Sequence, residues 1–184
     1  TWTIALYGTP AMAKEAVLSE KAYWDQIIKA CFLDYKNPIA QWKKIYRDIE
    51  KYRSRLNKLS PKIDKIHAIG PDMDIWYSLG EKREWHAGSG RNMPSFEIFT
   101  SPDWRGTNGW IRINQPLYRY SNKITGIELW FKNGRVVKAK AKTNEKLLKE
   151  MIATPGADKI GEYSLTDTRH SRITKFMAET LFDE

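Results

Sequence analysis

The apolar residues of this chain change period near residue 63, and that change limits what it can fold into. Before it, Trp42, Ile45, Tyr46, Ile49, Tyr52, Leu56 and Leu59 recur almost entirely at steps of three and four, the stripe of an amphipathic helix. Asn37-Pro38 offers an N-cap followed by a proline in the first helical position, and Ser60-Pro61 closes the stretch. Ser19 is placed to cap an earlier helix over 20–32, with Tyr23, Trp24, Ile27, Ile28 and Cys31 on one face. Thr3 to Tyr7 is a short apolar strand end stopped by Gly8-Thr9-Pro10.

After residue 63 the alternation predicts strands over 65–69, 75–79, 84–87, 97–100, 109–113, 124–131 and 135–141. Asn133-Gly134 predicts a tight hairpin, because a type I′ turn needs positive φ at both central residues. Thr143 is expected to cap a helix carrying Leu147, Leu148, Met151 and Ile152, ended by Pro155-Gly156. A further strand is expected over 159–165, and Ile173, Phe176, Met177, Thr180 and Leu181 suggest a last helix. The order is α+β: N-terminal helices, then a mostly antiparallel β region with further helices.

Composition narrows the class. Among 184 residues, 41% are apolar and 12% aromatic, which excludes a disordered polyelectrolyte. No apolar run approaches the length of a membrane span, and Thr1 to Pro10 lacks the features of a signal peptide. The single cysteine, Cys31, excludes an internal disulfide and a cysteine-based zinc site, and its apolar helix face marks it as a small core residue. The expectation is a soluble cytoplasmic protein without membrane partners. A start at Thr1 and an uncapped end at Phe182-Asp183-Glu184 suggest a piece of a longer chain.

Charge is concentrated. Residues 36–65 hold ten Lys and Arg against three acids, a balance of +7 out of a net +9. Clustered bases with interleaved Trp and Tyr can mark a nucleic-acid-binding module. Here the aromatics fall on the apolar stripe, away from the charges, so a solvated helix face is the favoured reading and nucleic acid the alternative.

Few residues carry chemistry on spacing alone. His67, His86 and His170 are scattered, none with a partner at metal-ligand spacing. There is no Gly-x-Ser-x-Gly elbow and no phosphate-binding glycine loop. The informative stretch is Arg91 to Gly109, where a lone acid, Glu97, stands between Phe96 and Ile98-Phe99. A carboxylate among large apolar residues is costly to bury unless it is paired or binds a cation. Glu162, in Ile160-Gly161-Glu162-Tyr163-Ser164-Leu165, repeats the pattern. Two such acids suit a cation site, while a strand glutamate facing water would look the same; the residues alone leave both open.

Several stretches, in order along the chain, carry a resemblance: Tyr7-Gly8-Thr9-Pro10-Ala11-Met12-Ala13, Ile28-Lys29-Ala30-Cys31, Pro38 to Trp42, Asn92 to Gly109, Gly161-Glu162 with Ser164-Leu165, and Thr180 to Glu184. Together they resemble the aminopeptidase T and aminopeptidase S group, metallopeptidase family 29. The resemblance implies a two-domain, generally dimeric enzyme that removes N-terminal residues from peptides with two divalent metal ions, zinc or cobalt. It implies that Glu97 and Glu162 are metal ligands. Phe96 stands where many relatives have a glutamate before that ligand. The remaining family ligands, a His, a Tyr seven residues later and a His-x-Asp pair, find no match in His67, His86 or His170 and are expected beyond Glu184. On this basis residues 1–62 are a helical connecting segment after an N-terminal domain, and 63–184 the β-rich part of the peptidase domain. The chain alone is expected to bind metal weakly and to be inactive. The catalytic base and the substrate-binding residues stay unassigned.

Overall fold

The computed structural model describes residues 2–88 and 90–183. In chain order it runs β1 (Ile4–Ala5), α1 (Pro10–Glu15), α2 (Glu20–Ala30), α3 (Pro38–Leu59), a 3-10 turn (Ser60–Lys62), β2 (Lys65–Gly70), β3 (Met73–Ser78), β4 (His86–Ala87), β5 (Asn92–Met93) and β6 (Glu97–Thr100). It continues with β7 (Asp103–Ile113), β8 (Leu117–Arg119), β9 (Asn122–Ile124), β10 (Ile127–Lys132), β11 (Arg135–Lys140), α4 (Glu145–Ala153), β12 (Tyr163–Thr166) and α5 (Thr180–Asp183). The α+β class holds. The chain gathers into two compact units that interleave along the sequence: Thr1–Asn57, Trp85–Phe99 and Ser164–Glu184 in one, Lys58–Glu84 and Thr100–Tyr163 in the other.

The first unit is built on helices with local start signals. The Ser19 hydroxyl accepts from Ala22 N at 3.2 Å and the Asn37 carboxamide oxygen from Ala40 N at 3.0 Å, so two otherwise unpaired first-turn donors are met by the predicted caps. Tyr23, Ile27 and Ala30 of α2 are buried with Ala13, Ala16, Met177 and Phe182. In α3, Trp42, Ile45 and Ile49 face inward. Trp42 stacks on Phe96, with ring centroids 5.3 Å apart, and meets Phe32 edge-on. Such ring pairs add to the area they bury.

The second unit is a five-stranded antiparallel sheet in the order β11-β10-β7-β3-β2. Ile75, Tyr77 and Phe131 form one buried cluster; Ile124, Ile127 and Leu148 of α4 form another. The predicted hairpin is present: Lys132 pairs with Arg135, and Asn133 and Gly134 take φ of 51° and 80°. Gly109, at φ 123°, lets β3 and β7 approach; a Cβ there would lie 2.1 Å from the Asp74 carbonyl oxygen.

Several boundaries differ from expectation, each for a visible reason. The N-terminal strand shortens to Ile4–Ala5 and pairs in parallel with β5, while Tyr7 packs edge-on against Trp24. The 124–131 strand breaks at Gly126, where φ is 60°. Thr143 does not cap α4: its hydroxyl accepts from Thr125 N and donates to the Lys123 carbonyl, and Asn144 takes the cap position in a left-handed conformation. The last helix shrinks to Thr180–Asp183. Side chains meet the backbone donors that a longer helix would have used: Gln26 accepts from Thr174 N at 2.8 Å, and Asp183 accepts from Met177 N and Glu179 N.

Candidate metal-binding residues

Glu97 opens β6, which lies between β12 and β4 in a three-stranded sheet. Alternation along β6 buries Phe96 and Ile98 and leaves the Glu97 carboxylate half-exposed. Phe96 belongs to the aromatic cluster with Trp42 and Phe32, so the position before the candidate ligand is an apolar anchor. Across the sheet, the Ser164 hydroxyl donates to Glu97 Oε2 at 3.0 Å. That contact orients one oxygen of the carboxylate.

Glu162 precedes β12 and is exposed. Glu97 falls in the first compact unit and Glu162 in the second. Both offer hard oxygen donors of the kind divalent cations take. Among the described residues no three His, Cys, Asp or Glu side chains gather around one point. In donor type the two carboxylates suit a divalent cation, and two are fewer than a full ligand set.

The histidines have other surroundings. His67 Nε2 lies 2.7 Å from Asp74 Oδ1, and its ring stacks on Trp76. His86 sits on β4 beside Phe99. His170 lines a cavity of about 600 Å³ with Phe32, Lys44, Asp48, Tyr52 and Arg169. Burial pushes the Cys31 thiol above its ordinary value, as for a packed residue rather than a nucleophile.

The basic helix α3 turns its aromatics mostly away from solvent. Trp42 is 8% exposed, Tyr46 is half-buried with its hydroxyl on Met93 Sδ, and Tyr52 is exposed but accepts a hydrogen bond from Arg169. Lys51 pairs with Asp48 and Arg53 with Glu50 on the same helix. No helix among the described residues is long and apolar enough to cross a membrane.

Sequence reasoning missed Ser164. The signal was at hand, because Ser164 lies two residues after Glu162 in the same short motif.

The family model for thermophilic metalloproteases, M29, matches residues 1–184. Aminopeptidase PepS of Streptococcus thermophilus is 30% identical over all of this chain and 49% of its own length. Aminopeptidase T of Thermus thermophilus is 29% identical over all of this chain and 49% of its own length, and aminopeptidase AmpS of Bacillus subtilis is 32% identical over 88% of this chain and 42% of its own. The solved structure of wild-type AmpT from Thermus thermophilus superposes with a TM-score of 0.84 at 27% identity, covering 99% of this chain and 48% of that one. The chain thus spans about half the length of the curated relatives it matches.

Proposed function

Because the chain belongs to the thermophilic metalloprotease family, we propose that it is the part of a metal-dependent aminopeptidase that supplies two carboxylates to a dinuclear site. The match over residues 1–184 carries this reading, and the donor chemistry of Glu97 and Glu162 agrees with it. Substrates are peptides with a free N-terminus.

Within this reading Glu97 and Glu162 are metal ligands, and the remaining ligands come from the family length that this chain does not span. When bound, divalent cations supply Lewis acidity at the scissile carbonyl and lower the pKa of the attacking water. The chain's own contribution is positional. Phe96 and Ile98, buried on either side, hold the backbone of Glu97, and Ser164 holds its Oε2. A carboxylate held in this way presents its charge without reorganising as the cation binds. The metals are zinc or cobalt, and the working form is a cytoplasmic homodimer; both rest on the family likeness.

The test uses a protein of the family's full length that carries this sequence. Hydrolysis of a leucine anilide should stop when a chelator is added and return with zinc or cobalt, and N-acetylation of the substrate should block it. Activity indifferent to chelator would remove the metallopeptidase reading.

A further inference from the structure

A second site lies within the first compact unit, away from both glutamates in sequence. It is a cavity of about 600 Å³, within the range of small-molecule sites. Lys44, Asp48 and Tyr52, spaced four residues apart on α3, share one helix face on its wall. Arg169, His170 and Arg172, from the segment after β12, form another wall, and buried Phe32 and Ile45 also line it.

Hydrogen-bonding groups around this cavity are unbalanced. His170 Nε2 is shielded from solvent and has no hydrogen-bond partner among the described residues. Buried polar atoms in folded proteins are nearly always paired, so an unmet one invites a ligand group. Arg169 spends Nε and Nη2 on Asp167 and Tyr52, and its Nη1 makes no hydrogen bond among the described residues. Arg172 spends Nη1 and Nη2 on Asp34 and the Lys29 carbonyl, and its Nε makes none. Lys44 Nζ makes no hydrogen bond or close ion pair among the described residues, and its charge acts on Asp48 at longer range. Two carboxylates stand near His170: Asp48, paired with Lys51 and also in the field of Lys44, and Asp167, paired with Arg169.

Both carboxylates already have cationic partners, so the unspent hydrogen-bonding capacity is on the donor side: two guanidinium groups, an ammonium and an imidazole whose Nε2 can donate in the matching tautomer. The ion pairs Arg169–Asp167 and Arg172–Asp34 also fix both guanidinium groups before any ligand arrives. We propose that this cavity binds a small oxyanion, a phosphate or carboxylate group, through Lys44, Arg169 and His170.

The test is a titration of the full chain with inorganic phosphate and, separately, with succinate, at constant ionic strength. It is read from the His170 ring proton signals in NMR spectra. A saturable shift with a Kd on the order of 1 mM or tighter is expected for one of the two anions. The anion that saturates identifies the source: phosphate for a phosphoryl ligand, succinate for a carboxylate ligand. Lys44→Gln, a change at an exposed position, should weaken binding about tenfold, as loss of one charge-assisted contact would. His170→Gln should weaken it as well, followed through the Tyr52 signals and with folding checked by circular dichroism. No shift with either anion would overturn the proposal, as would a shift that Lys44→Gln leaves unchanged.

Discussion

Ser164 donates its hydroxyl to Glu97 Oε2 at 3.0 Å across 67 residues of sequence. The contact joins the two short motifs in which the candidate metal-binding glutamates stand. It makes Ser164 a positioning residue for Glu97 in the proposed function. Ser164→Ala should weaken divalent-metal affinity of the full-length protein about 10- to 100-fold, the usual cost of losing an outer partner of a ligand. Folding stability should change by less than about 1 kcal/mol, because the bond is exposed. Metal titration and urea unfolding of the same variant separate the two effects; unchanged affinity would deny Ser164 this role.

Phe96 should matter for stability rather than for metal contact. Its side chain is 6% exposed and stacks on Trp42. Phe96→Ala should cost about 3–5 kcal/mol by loss of packing and creation of a cavity. Phe96→Glu should also destabilise this chain, because the carboxylate would enter an aromatic cluster. Urea midpoints at neutral pH check both, and a neutral Phe96→Glu would show that the cluster opens readily.

The acid limb of stability should respond to Arg105. Its guanidinium hydrogen-bonds Asp103 and holds that carboxyl down to about 2, against about 3.9 for a free aspartate. The lowered value means the pair contributes stability above about pH 4, lost as pH falls through about 2. The stability gap between wild type and Arg105→Gln should therefore be present at pH 6 and close between about pH 4 and pH 2. Arg105 is largely exposed, so salt should shrink the gap. Urea midpoints measured against pH test this, and a gap that stays constant to pH 2 would contradict it.

The 184-residue chain on its own should bind zinc or cobalt weakly and release no N-terminal residue from peptides. Two carboxylates fall short of the ligand sets of working sites. Calorimetric titration together with an anilide assay checks both halves of the statement. Tight binding of two metal equivalents by the chain alone would contradict it.

What could be read from the sequence was mainly local. The Asn37 cap and the Asn133-Gly134 turn follow from residues within a few positions of one another, and the structure shows both; the apolar stripe of α3 is buried at Trp42, Ile45 and Ile49 but leaves Tyr52 and Leu59 exposed. The longer last helix does not form because its competitor is distant: Gln26, 148 residues away, takes the Thr174 N–H. The Thr143 cap failed in the same way, since Thr125 and Lys123 claim that hydroxyl. At the candidate site, Glu97 stood out as a lone acid among apolar neighbours. Its partnership with Ser164 depends on strand pairing that no short window of sequence contains.

Whether Glu97 and Glu162 hold metal is best decided by counting it. Full-length protein carrying this sequence, equilibrated with zinc and dialysed, should retain two equivalents by elemental analysis. Glu97→Gln and Glu162→Gln should each retain fewer while keeping the wild-type circular dichroism spectrum. Two equivalents retained in both variants would show that neither glutamate is a metal ligand.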